Sequence, residues 1–145
     1  MGWSQLTGVL DTSALLAGHR ERLPGEFAIS VVTVADLHFG VLVTRHSEER
    51  ARRLTRLALV EKLFEPLPVD AAVARSYGHL AAAVAAVGRQ PRVRAFDLLI
   101  AATAHAHGAR LYTRNFEDLR GLHELVEVVD TSRWWTISGG GQRVR

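Results

Sequence analysis

The chain has 145 residues, 48% of them apolar, long enough for one domain with a sizeable core and too apolar for intrinsic disorder. It has no cysteine, which excludes disulfides and zinc–thiolate centres and makes a reducing cytoplasm the expected compartment. The net charge is only +3, yet Lys62 is the only lysine among 18 basic residues. Arginine forks grip phosphate and stack on bases, so this bias fits a nucleic-acid partner, as it also fits an arginine-rich codon usage. No apolar run approaches the roughly 18 residues that span a bilayer, so no membrane contact is expected. The start Met1-Gly2-Trp3-Ser4-Gln5 lacks the charged and apolar regions of a secretory leader, and none is expected.

In chain order, Leu6 to Leu10 reads as a short buried strand, with Asp11-Thr12-Ser13 capping a helix from Ala14 to Gly18. Arg20 to Glu26 is a polar loop with a Pro24-Gly25 turn, and Phe27 to Ser30 a second strand. Thr33 is read as the N-cap of a helix running to about Arg45, with Val34, Leu37, Val41 and Leu42 near one face. Ser47-Glu48-Glu49 opens another helix, Glu48 to Phe64, whose apolar stripe is Leu54, Leu57, Val60 and Leu63. Asp70 caps an alanine-rich helix that stops at Gly88, and Arg89 to Arg94 is a basic loop. A helix from about Ala95 to His107 follows, then strands at Arg110–Thr113 and Val126–Val129. His105 and His107, two apart, face different sides of their helix and read as surface residues. Trp134-Trp135 is read as a core plug closing the C-terminal edge, or as part of an exposed partner surface. Strands separated by helices predict an α/β fold: a mostly parallel central sheet flanked by helices on both sides. One domain is expected over 1–137, with a flexible tail over 138–145.

Against this scaffold the aspartates stand out. There are six, and Asp11, Asp36, Asp97 and Asp118 lie at element boundaries or on apolar segments. A carboxylate set against apolar surface is costly unless paired, hydrogen-bonded or metal-bound. In parallel α/β sheets ligands bind beyond the carboxyl ends of the strands. Asp11 and Arg114-Asn115 follow strand ends directly, and Asp36 and Asp97 are placed in the first turns of helices facing that edge. Gathered there, these carboxylates form a site for a hard divalent cation. Each also has a purely structural reading: Asp11 as an N-cap, Asp36 and Asp97 as partners of helix dipoles, Asp118 as a cap or surface charge. Thr12, Ser13 and Thr113 are candidates to bind a phosphate or an ordered water. Arg94 and Arg114 are candidate phosphate clamps, or members of structural ion pairs.

Four segments together resemble the PIN-domain nucleases. Val9-Leu10-Asp11-Thr12-Ser13 is similar to that family's V-L-D-T-S opening. Ser30 to Gly40 resembles its S-x-x-T-x-x-E-L-x-x-G segment, Phe96 to Ala104 its D-x-x-I-A-A-T-A helix, and Leu111 to Leu119 its closing L-x-T-x-N/D-x-x-D-F block. They occur in the family's order and cover Val9 to about Val129. A single domain of this size most resembles the VapC toxins of bacterial VapBC toxin–antitoxin pairs.

The resemblance implies a PIN fold and an endoribonuclease dependent on Mg²⁺, with Mn²⁺ able to substitute. It places Asp11, Asp36 and Asp97 on the metal. Two departures stand out. Asp36 replaces the usual Glu and is shorter by about one carbon–carbon bond, roughly 1.5 Å, which favours contact through water. The fourth acidic position falls on Asn115, with Asp118 one turn on as an alternative source of charge. The resemblance also implies an RNA substrate such as tRNA or rRNA, a homodimer, and a VapB-type antitoxin assembling with it as a heterotetramer or hetero-octamer. The antitoxin is expected to lay a helix in an apolar groove between the second and third helices. Arginines from Arg45 to Arg56 and Arg89 to Arg94 are expected to line the RNA approach. A PIN nuclease outside toxin biology and a catalytically silent PIN-fold binding module are the alternatives.

Overall fold

The structure, a computed structural model, describes residues 6–17 and 25–132. The loop over 20–24, Trp134-Trp135 and the tail over 138–145 lie outside the described residues, as does the boundary at 137. The elements are β1 (Leu6–Leu10), α1 (Thr12–Leu16), β2 (Glu26–Ala28), α2 (Val31–Val43), α3 (Ser47–Leu63), α4 (Ala71–Ala86), α5 (Ala95–Ala106), β3 (Arg110–Thr113) and β4 (Val128–Asp130). Short 3₁₀ turns span Pro91–Arg94 and Phe116–Leu119.

The strands form one sheet in the order β2-β1-β3-β4, and every pairing is parallel. Alternating side chains send β1 and β3 into two different cores. Val9 and Leu111 pack with Leu80 of α4 and Ile100 of α5 on one face. Leu10 and Tyr112 pack with Leu37 and Val41 of α2 and Leu57 and Val60 of α3 on the other. The α/β architecture with helices on both faces is therefore observed. The chain leaves β1 toward β2 on one side, and leaves β3 toward β4 on the other. The sheet reverses its winding between β1 and β3, which opens a crevice at their carboxyl ends.

Most boundaries follow local chemistry. The Asp70 carboxylate accepts from Val73 N at 3.0 Å and caps α4, and Gly88 has φ 80° just beyond its end. Two expectations are corrected. The cap of α2 is Ser30, whose hydroxyl accepts from Val32 N at 3.0 Å, not Thr33, which is fully buried in the third position of the helix. The helix consequently starts at Val31, and Asp36 sits in its second turn, beyond the strongest reach of the helix dipole. The second strand ends at Ala28, and Ile29 O accepts from Leu67 N at 2.8 Å in a bridge after α3. The last strand begins at Val128 rather than Val126.

The expected α3 stripe is also narrower than read. Leu57 and Val60 are buried, but Leu54 and Leu63 are half exposed. Arg53 donates from Nη1 to Gly40 O at 2.7 Å and from Nε to Glu49 at 2.9 Å, and Arg50 donates to Thr44 O at 2.7 Å. Arg50 and Arg53 therefore join α3 to α2 and its exit. His105, read as a surface residue, is partly buried between α5 and α4, with Nδ1 at 2.7 Å from the buried Ser76 hydroxyl.

Gly8 illustrates how tightly the sheet packs beneath the site. A Cβ there meets Tyr112 Cε1 at 2.5 Å and Arg110 O at 3.0 Å. Tyr112 is itself held edge-on against Phe27, with ring centroids 4.9 Å apart. Gly8→Ala is predicted to destabilise the fold by about 1–3 kcal/mol through overpacking, read as a lower urea midpoint.

Candidate active site

The site is built where β1 and β3 end. The Asp11 amide donates to Tyr112 O at 3.0 Å, which keeps Asp11 in the sheet's register at its edge. Its Oδ1 accepts from Ala14 N at 2.9 Å and from Ser13 Oγ at 2.6 Å. The capping reading of Asp11 thus holds, but it occupies one oxygen only. Ser13 Oγ also accepts from Arg114 N at 3.0 Å and lies 3.4 Å from Thr113 Oγ1, which accepts from Asn115 N at 2.9 Å. Ser13 and Thr113 therefore stitch the two strand ends together.

Thr12 reaches the other way. Its hydroxyl donates to Asp36 Oδ2 at 2.9 Å and lies 3.2 Å from Thr33 Oγ1. The aspartate after β1 and the aspartate of α2 are thereby joined through adjacent residues. Thr33 is the contributor that sequence reasoning assigned elsewhere. Its spacing of three from Asp36, which puts both on one face of α2, was the available signal.

Asp97 stands in the first turn of α5, with half of its side chain exposed, 51%. Partial burial pushes its carboxyl above the ordinary range, and the negative charge of Asp11 pushes it further. Arg94 pulls it back, while Asp36 and Asp118 add to the rise. Asp36 is also raised, chiefly by burial, against the lowering effect of the Thr12 hydroxyl. Asp97 thus feels the negative charge of carboxylates from distant segments, as expected for like groups near one another.

Asp118 resolves differently from its cap reading. It lies in the 3₁₀ turn after β3, with Oδ2 at 3.2 Å from Arg94 Nη1, while that guanidinium is 4.0 Å from Asp97. Both partners are about two-fifths exposed, so the pair contributes at most about 1 kcal/mol. Arg94 is therefore an ion-pair member shared between two carboxylates. Asn115 and Arg114 are exposed at the end of β3. A cavity of about 280 Å³ opens beside Asp97 and Asp118, bounded by Arg89, Gln90 and Leu98.

As they stand, no three Asp, Glu, His or Cys side chains among the described residues converge closely enough to cage an ion. The donor chemistry nonetheless suits a hard cation. Asp11 Oδ2, Asp36 Oδ1 and Asp97 Oδ1 have no hydrogen-bond partner among the described residues. Mg²⁺ takes few carboxylates and keeps several waters, so it does not require a closed protein cage.

The sequence model of the PIN domain matches residues 8–122. Ribonuclease VapC5 of Mycobacterium tuberculosis is 38% identical over 134 residues, which cover 88% of this chain and 96% of that relative. Ribonuclease VapC8 of the same species is 40% identical over 101 residues, covering 67% of this chain and 89% of the relative. Among solved structures, a member of the VapBC family of toxin–antitoxin systems, VapBC-5 from M. tuberculosis, matches with a TM-score of 0.73 at 38% identity. That match covers 86% of this chain and 98% of the solved one.

Proposed function

This chain belongs to the PIN-domain family, and from that premise we propose that it is a VapC-type toxin. It is an endoribonuclease that hydrolyses RNA phosphodiester bonds, depends on Mg²⁺ or Mn²⁺, and is inhibited by a cognate VapB-type antitoxin. The observation that carries this reading is the placement of Asp11 just after β1, Asp36 on α2 and Asp97 on α5, with Asp97 near enough to feel the charge of the other two. A partly buried aspartate set beside other carboxylates is a poor structural device and a good cation ligand.

Asp11, Asp36 and Asp97 would hold the ion through their unpartnered oxygens, Asp36 through water because of its shorter reach. When bound, the ion supplies an activated water at neutral pH and neutralises charge developing on the phosphate. The rest falls to the chain's own groups. Ser13 fixes the Asp11 carboxylate through one oxygen, and Thr12 fixes Asp36, so both keep one orientation before substrate arrives. The Asn115 amide, at the end of β3, donates to a non-bridging phosphate oxygen. It does so without adding a fourth negative charge. Arg114 beside it, and Arg94 when released from Asp118, hold neighbouring phosphates.

The toxin reading adds partners. Phe39 and Leu42 of α2 and Leu54 of α3 are large apolar side chains left exposed, with Leu42 at 77%. They suit the apolar face of an antitoxin helix. A homodimer assembling with the antitoxin as a heterotetramer or hetero-octamer completes the proposal, with tRNA or rRNA as substrate. Among the described residues no helix is long and apolar enough to cross a membrane.

The metal reading predicts a thermal shift. An ion bound only by the folded state stabilises it by about 2.7 kcal/mol at a hundred times its Kd, several degrees in melting temperature. Because the Asp36 and Asp97 carboxyls are both raised, protons compete for them at higher pH than for ordinary carboxylates. The shift with Mn²⁺ should therefore shrink as pH falls from neutral into the acid range. A melting temperature indifferent to Mn²⁺ and Mg²⁺ at neutral pH would favour a silent binding module instead.

A further inference from the structure

We propose that the cavity beside the acidic centre holds one unstacked nucleobase of the RNA, next to the phosphodiester that is cut. This rests on the nuclease reading and deepens it by saying where base identity is read. The volume of about 280 Å³ lies just below the roughly 300–1,000 Å³ range of small-ligand pockets, room for one heterocycle and not for two stacked ones.

The lining chemistry narrows the occupant. Val84 of α4, Leu98 of α5, and Leu119 and Leu122 after β3 supply apolar walls. Arg89, Gln90, Arg94, Asp97 and Asp118 supply the polar part of the lining. A purely apolar ligand would leave the Gln90 side-chain amide without a partner. A free phosphate would face two carboxylates. A base answers both demands, since its faces pack on apolar side chains and its edges carry donors and acceptors.

The rim is also arranged so that one group is left to read. Arg94 is drawn to Asp118 at 3.2 Å, and Arg89 donates from Nη1 to the Asp118 backbone oxygen at 3.2 Å. The Gln90 side-chain amide has no partner among the described residues and offers both a donor and an acceptor. Asp97 belongs to the cavity and to the acidic centre alike, so a base in the cavity brings its own phosphate to the centre. Tyr77 and Arg92 line a second recess that shares Arg89 and Gln90 with the first.

Two exposed positions test this without disturbing the core: Gln90→Ala removes the reader, and Val93→Trp, at a residue 73% exposed, fills the cavity. In the first arm, the ¹⁵N-labelled protein without metal is titrated with each of the four nucleoside 5′-monophosphates. At least one is expected to shift the Gln90 side-chain amide and the Leu98 and Leu119 backbone signals, and Val93→Trp is expected to abolish those shifts. In the second arm, a randomised RNA pool is cut with Mn²⁺ and the product ends are sequenced. Wild type should show a base preference at one position flanking the cut, and Gln90→Ala should relax that preference by about tenfold at that position alone. No shift with any of the four nucleotides overturns the inference. So does a preference unchanged in Gln90→Ala, or no flanking preference in a wild type that cuts. A wild type that shifts with a nucleotide yet cuts no RNA refutes the nuclease reading and leaves the base site standing.

Discussion

Asp97→Asn is expected to lower RNA cleavage by at least about 100-fold, the scale of losing one electrostatic contact made at the reacting group. The same substitution should leave melting temperature unchanged or raise it. Asn is nearly isosteric, and the side chain is half exposed, so little packing is lost. What disappears is a charge in an unfavourable place. The Asp97 carboxyl is raised by its partial burial and by Asp11, Asp36 and Asp118, against Arg94. A carboxyl whose folded-state pKa lies above its unfolded value contributes stability fully present below the unfolded pKa, near 3.8. That stability is lost as pH rises through the folded pKa. At neutral pH the ionised Asp97 is therefore a liability that the amide removes. Parallel activity assays and thermal melts check both halves. Cleavage lost together with a large fall in melting temperature would mean that Asp97 is structural.

Ile100→Ala is expected to have the largest effect on stability, about 2–5 kcal/mol out of the roughly 5–15 kcal/mol that holds a domain of this kind together. Ile100 is fully buried on α5 among Leu80, Leu111 and alanines that cannot move in to fill the gap. The substitution removes its transfer free energy and leaves a cavity whose lining loses its contacts. Urea denaturation should show a lower midpoint with an unchanged slope. A loss below about 1 kcal/mol would mean that the α4–α5 core repacks freely, contrary to the close packing of protein interiors.

How far the fold could be read depended on whether the signal was local. Val9 and Leu10 face opposite cores because adjacent strand residues always do, so a continuous apolar run correctly signalled a strand buried on both faces. Asp70 and Gly88 bounded α4 by chemistry that operates within a few residues. The start of α2 was set late, at Thr33, because Ser30 and Thr33 are both good capping residues; the Ser30 hydroxyl takes the role, and Val32 packs into the core. The α3 stripe failed for a geometric reason. Residues at a constant spacing of three drift about 60° around a helix at each step. Only Leu57 and Val60, in the middle, face the core, and Leu54 and Leu63 turn outward.

At the site, the three aspartates were legible because a carboxylate beside an apolar run is costly without a purpose. Their supporting hydroxyls were only partly so. Thr12 and Ser13 were marked as candidates, but their bonds to Asp36 and Thr113 join residues 24 and 100 positions apart. The Arg94–Asp118 pair and the cavity behind it bring the loop after α4 against the turn after β3, a proximity that only the assembled fold creates.

The most direct test of the central claim is cleavage of total RNA by the antitoxin-free protein with Mn²⁺, with EDTA, and with EDTA followed by excess Mn²⁺. The account predicts a few discrete fragments, none with EDTA, and the same fragments on restoring the metal. Fragments that persist in EDTA, or intact RNA in all three samples with a folded protein, would contradict it.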